Sequence, residues 1–347
     1  MLAPTPDFTP GWPQRRYSYV AVLALAGLGA AFPAAAWALL GQPLAVGMVL
    51  LGMAHGACDQ LVLPAGPPRP SNVQAGGWRY WLVFLAGYLG LAGLVGALWW
   101  AWPAATVGGF FLLTAWHWGS ADAPAGPRPP AWLWLAHSCL RGLLLFAVPL
   151  WGWPAQTAGI VNGLLAFTGS PTVPAAGLAA AGTILGTVVV AGHLALWARW
   201  TYHRQWARLR TELGEVLILT LLLLAIPPQL AVAVYFVFWH SLQHVLRLTG
   251  WLGYAAAPGQ PRPAADLLPR LAFFLRRAAP LLLLSCAALL LLGRLLALHL
   301  PDGAAWFSLA LVVASIVTLP HALLVTLVMD APSWRAKPSN GTSSGLS

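Results

Sequence analysis

The chain has 347 residues, of which 59% are hydrophobic and only 7% charged. Soluble domains carry about 25% charged residues, so the composition excludes an ordinary soluble enzyme and predicts an integral membrane protein. The formal net charge of +10 does not point to nucleic acid, because the arginines fall in the gaps between apolar runs, as in cytoplasmic membrane loops.

Residues 1–16 read as a cytoplasmic N-terminal segment. The first apolar run, 17–40, follows Arg15 and Arg16. It is too long for a signal-peptide core and lacks a clear cleavage site, so it is expected to stay as a first helix. Nine further runs of bilayer-crossing length follow at 43–63, 78–101, 103–121, 131–151, 175–199, 211–227, 229–251, 271–298 and 304–329. The expected fold is all-α: a polytopic membrane helix bundle of about ten transmembrane helices, a single catalytic domain over 17–330. Prolines at Gln42-Pro43, Trp102-Pro103, Pro227-Pro228 and Pro301-Asp302 predict tight reversals, since proline suits the first turn of a helix. The stretch 152–174 is too broken to span and reads as re-entrant or interfacial. The tail, 331–347, is expected to be disordered and cytoplasmic.

The charges orient this frame. With the N-terminus inside, 16 of the 18 basic residues fall on the cytoplasmic side, and only Arg141 and Arg294 lie deep within helices. Such a bias sets topology and predicts both termini in the cytoplasm. Glu215, near the start of its helix, reads as an interfacial acid. Cys58, Cys139 and Cys286 are an odd count without paired spacing, so neither a disulfide framework nor a thiolate metal motif follows.

Histidine carries the chemistry. His55, His117, and the pair His240 and His244 lie on the second, fourth and eighth expected helices, which run in the same direction. Counted from the helix starts they share a slab on the order of 6 Å at 1.5 Å per residue. His240 and His244, four apart, occupy one helix face. A lone buried histidine is usually a packing residue; four at one depth predict a shared metal. Depth alone does not separate them from His137, His193 or His321, whereas His203 and His299 read as solvated. Four neutral imidazoles argue against calcium and magnesium, and leave copper, zinc and iron open. Bis-histidine haem is the main rival, and a metal or solute transport site another. Asp59 and Asp122 are candidates to orient a ligand through its second ring nitrogen, or are simply carboxylates at the cytoplasmic boundary.

At HGACDQLVLP (55–64), HWGSAD (117–122) and YFVFWHSLQH (235–244) the chain resembles the Brp/Blh family, membrane β-carotene 15,15'-dioxygenases. GEVLILTLLLLAIPPQ (214–229) and TLPHALLVTLVMD (318–330) support the likeness. The resemblance implies that His55, His117, His240 and His244 are the catalytic ligands of Fe(2+). It implies cleavage of the central double bond of β-carotene by O2 into two all-trans-retinal, in the cytoplasmic membrane, with a functional link to a retinal-binding rhodopsin. Gln243 stands where family members often carry arginine. His321 matches the family's late LPH element and reads as structural or as a support to the ligands. Four imidazoles on ferrous iron would leave one or two positions for O2. Trp116, Trp118, Tyr235, Phe236, Phe238 and Trp239 are candidates to line a hydrocarbon tunnel for the carotenoid, with ordinary packing or an interfacial belt as the alternative for each.

Overall fold

The structure, a computed structural model, describes residues 12–65, 77–123, 130–254, 266–298 and 303–334. Among the described residues all regular structure is helical. Lipid offers no water to backbone N–H and C=O groups, so apolar runs of this length must satisfy them within the helix. The chain forms α1 (Trp12–Ala31), α2 (Pro33–Val62), α3 (Trp78–Ala101), α4 (Pro103–Asp122), α5 (Ala131–Gly152) and the short α6 (Pro154–Phe167). There follow α7 (Ala175–Tyr202), α8 (Trp206–Ala225) and α9, which runs unbroken through Pro228–Val234, Tyr235–Ser241 and Leu242–Trp251. Helices α10 (Leu267–Leu296) and α11 (Gly303–Met329) complete the bundle.

Six of these helices, α2, α3, α5, α7, α10 and α11, are long and apolar enough to cross a membrane. Burial sorts them into layers. Only 6% of the most apolar window of α3 or of α10 is buried, against 61% for α5. A helix that is apolar all round yet unburied in protein is suited to lipid. Helix α5 is the central post, packed on α4, α7 and α8.

The element boundaries depart from expectation at the N-terminal end. The first reversal falls at Phe32-Pro33, not at Gln42-Pro43, and Pro43 lies inside α2. Phe32 is held out of the α region by the proline that follows, with φ −129° and ψ 60°, and Pro33 opens the next helix. In a membrane bundle an internal proline is tolerated because neighbouring groups re-satisfy the freed backbone. Prolines 103 and 228 open helices as expected; the 301–302 reversal lies outside the described residues. The broken stretch after 152 holds a helix of 14 residues, about 21 Å long, short of the roughly 30 Å hydrocarbon core. The first residues of the expected tail form a helical turn, Ala331–Trp334.

Two glycines bring α4 and α5 together at backbone distance. A Cβ on Gly142 would overlap the Ala115 carbonyl, and one on Gly119 the Ser138 carbonyl. Small residues are what let membrane helices approach this closely, and the contact holds the turn that carries His117.

Glu215 is not an interfacial acid. It is buried, receives Arg15 Nη1 at 2.7 Å and Arg141 Nη2 at 2.9 Å, and accepts a hydrogen bond from the Tyr19 hydroxyl. One turn earlier, buried Glu212 faces His137 Nε2 at 3.0 Å, Arg141 Nη1 at 3.7 Å and His193 Nε2 at 3.8 Å. This network ties α1, α5, α7 and α8 and accounts for Arg141 deep in the bundle: a buried charge persists when it is paired.

Candidate metal centre

Three helices change pitch where the histidines lie. Wide π-helical turns occupy Met48–Met53 in α2, Tyr235–Ser241 in α9 and Val325–Met329 in α11. The first ends just before His55, the second contains His240, and the third follows His321 by one turn. A π-turn inserts a residue into the helix and re-aims the side chains around it, and such turns are common at functional sites. Near the last of them, Arg247 of α9 pairs with Asp330 at 2.6 Å and donates to the Met329 carbonyl at 2.8 Å, pinning α9 to the end of α11.

The histidines converge from four helices. Ring centroids of His55 lie 5.8 Å from His240 and 5.4 Å from His244, and His117 lies 5.0 Å from His240. The His240 and His244 rings are nearly parallel, 6.2 Å apart, as spacing by four on one face requires. His321 stands among them, 4.8 Å from His55, 4.9 Å from His117 and 5.3 Å from His244. His55, His117 and His321 each present one ligand atom within 4.8 Å of the others. Because α2 begins at Pro33 rather than Pro43, counting from the helix start misjudges the depth of His55, yet the rings still meet.

All five imidazoles are buried. Both nitrogens of His117, His240 and His244, Nδ1 of His55 and Nε2 of His321 lack any hydrogen-bond partner among the described residues. Buried polar atoms are normally paired, and each neutral imidazole offers one nitrogen lone pair, so the cluster brings several such lone pairs around one point. A cation suited to imidazole fits them: iron, copper or zinc rather than calcium or magnesium. Buried Cys58 packs in an apolar cluster with Val62, Leu248 and Phe274 instead.

The model of the family described as beta-carotene 15,15'-dioxygenase matches residues 46–329, a span that takes in all five clustered histidines. The chain belongs to the β-carotene 15,15'-dioxygenase family. The probable beta-carotene 15,15'-dioxygenase Blh of Halobacterium salinarum is 32% identical over 310 residues, covering 82% of this chain and 83% of the relative. No solved structure matches the chain. Membership of a β-carotene 15,15'-dioxygenase family bears out the expectation of a carotenoid-cleaving oxygenase over a haem carrier or a transporter.

Around the histidines of this family member, three of the six aromatic candidates are in contact. Phe236 lies 5.7 Å from His55 and 5.9 Å from His240, Trp118 lies 5.9 Å from His240, and Tyr235 lies 5.1 Å from Trp118. The other three pack elsewhere: Trp116 on Trp134 with its Nε1 donating to Thr326 Oγ1, Trp239 on Tyr19, and Phe238 against the apolar core. Asp122 accepts the Tyr235 hydroxyl at 2.8 Å. Asp59 meets His321, whose Nδ1 lies 2.9 Å from both its oxygens, rather than His55 four residues before it. His137 and His193 belong to the Glu212 network, His203 is exposed, and His299 lies outside the described residues. Tyr88, which donates to Asp59 at 3.1 Å, was not legible as a site residue; a single tyrosine in an apolar helix carries no signal without its partner.

Proposed function

We propose that this protein cleaves the central 15,15' double bond of β-carotene with O2, yielding two all-trans-retinal, at an Fe(2+) centre held by His55, His117, His240 and His244. The observation that carries the reading is the knot of buried, unpartnered imidazoles in a chain of this family. When bound, iron would supply the redox chemistry of O2 that no side chain provides. The chain's own residues do the rest. The imidazoles offer nitrogen lone pairs, a donor type that suits iron. Phe236 and Trp118 wall the cluster with apolar surface and exclude water, so that a rigid hydrocarbon is the favoured neighbour. Tyr235, tied to Asp122, fixes the turn that presents His240. The substrate partitions into the bilayer and enters from lipid.

The frame for this chemistry is a cytoplasmic-membrane protein of ten spans with both termini in the cytoplasm, and retinal release into the same bilayer places a retinal-binding rhodopsin as its functional partner. The distribution of basic residues supports the orientation, and ten helical segments of 20 residues or more among the described residues support the count.

Expression in a carotene-accumulating bacterial host, with retinal measured by chromatography, tests the reading. Retinal formation with loss of β-carotene is expected. Absence of retinal from a folded protein that shows a Soret band and no non-haem iron would overturn it.

A further inference from the structure

We infer that His321 is itself a ligand of the metal, oriented for that task by Asp59 and Tyr88. The inference rests on the reading of the histidine cluster as an iron site and enlarges its donor set to five imidazoles.

The chemistry of the three residues leads there step by step. An ionised carboxylate has only lone pairs to offer. Asp59 takes the Tyr88 hydroxyl at 3.1 Å on one oxygen, and Nδ1 of His321 lies 2.9 Å from both oxygens. Nδ1 is therefore the donor. In the neutral ring the other nitrogen, Nε2, then carries the lone pair. That atom is buried and has no partner among the described residues, and its ring lies within 4.8 to 5.3 Å of His55, His117 and His244.

A histidine kept only for packing has no reason to aim a bare lone pair at other imidazoles. A metal-ligating histidine almost always gives its second N–H to a carboxylate, which fixes the tautomer and raises the basicity of the ligating nitrogen. Among the described residues a carboxylate gives this support to His321 alone of the five clustered histidines, through an acid 262 positions away in the chain. His55, His117 and His321 also bring one prospective ligand atom each within 4.8 Å of the others. Pro320, within α11, removes a backbone hydrogen bond at this turn and lets the helix bend where His321 enters the cluster.

The test reads metal binding, not turnover. Purified full-length protein in detergent is stripped of metal and titrated with Co(II), following the visible d–d bands, for the wild type and for His321→Gln, His321→Ala, Asp59→Asn, Tyr88→Phe and His117→Ala. Helical circular dichroism and a single size-exclusion peak establish that each variant is folded. His321→Gln is expected to weaken Co(II) at least tenfold and to alter the d–d spectrum. Asp59→Asn should weaken it about 10- to 100-fold, the usual effect of removing an outer-shell partner, and Tyr88→Phe by less. Free imidazole should restore the bands of His321→Ala, a rescue that a packing role does not allow. Wild-type affinity and spectrum in His321→Gln, with binding lost in His117→Ala, would overturn the inference and leave the iron-site reading standing. Should His321→Ala fail to fold, the same comparison is made on Asp59→Asn, whose wild-type spectrum would likewise overturn it. Unchanged binding in His117→Ala as well would overturn the site reading itself.

Discussion

Arg141 and Glu215 meet inside the bundle at 2.9 Å, from positions 74 residues apart, with both side chains removed from solvent. Arg15 closes on the other carboxylate oxygen. Removing this acid leaves Arg15 buried without its counter-charge and Arg141 with only its longer contact to Glu212, at 3.7 Å. Glu215→Ala should cost about 3–5 kcal/mol, the penalty for breaking a buried pair from one side, read as a lower unfolding temperature in detergent. Arg16→Ala, at an exposed neighbour, should stay within about 0.5 kcal/mol.

The glycine contact between α4 and α5 offers a sharper steric test. Gly142→Ala and Gly119→Ala drive a methyl into a facing backbone carbonyl, which cannot rotate away as a side chain would. Overpacking of this kind costs about 1–3 kcal/mol or more, and here it also displaces the turn bearing His117. Both variants should lose stability and retinal formation together. Gly108→Ala, which meets nothing within 4 Å, should keep both; equal behaviour of the three would remove the backbone contact as their cause.

Single replacement of His55, His117, His240 or His244 by alanine should abolish retinal production and lower iron per purified chain. His203→Ala, on an exposed turn, should leave both close to wild type. Chelation followed by Fe(II) should remove and then restore activity in the wild type but not in the four variants. Iron retained at full stoichiometry in any of the four would strike that residue from the donor set.

Phe236 shapes the space between His55 and His240. Phe236→Ala opens space there; the ring is half-buried, so its loss should cost less than the about 3–5 kcal/mol of a fully enclosed phenylalanine. The functional signature expected is a fall in turnover with a share of off-centre apocarotenals, resolved by chromatography. Phe238→Ala, which packs against the main apolar core, should lower stability without changing the product pattern. The same products from both would mean that Phe236 does not position the chain.

Much of this was legible before any coordinates. Runs such as 78–101 and 131–151 announced helices because backbone in lipid has no alternative, and their bounds agree with α3 and α5 to within a residue. The His240 and His244 spacing fixed a shared face because helical periodicity is local. The first reversal was misplaced because Pro33 and Pro43 both lie within one largely apolar stretch, and only packing decides which proline breaks the helix.

The sequence by itself determined the membrane class, the helical construction and four of the five clustered histidines, since each follows from composition, run length or motif within a few residues. The tertiary structure alone decided that Glu215 is buried between two arginines, that Asp59 serves His321 rather than its own neighbour His55, and that His321 enters the cluster. Those relationships join residues 200, 74 and 262 positions apart. No local pattern encodes contacts at such separations. They are set by how helices cross, and here the crossings are fixed by glycine contacts, by wide π-turns and by the pairing of buried charge.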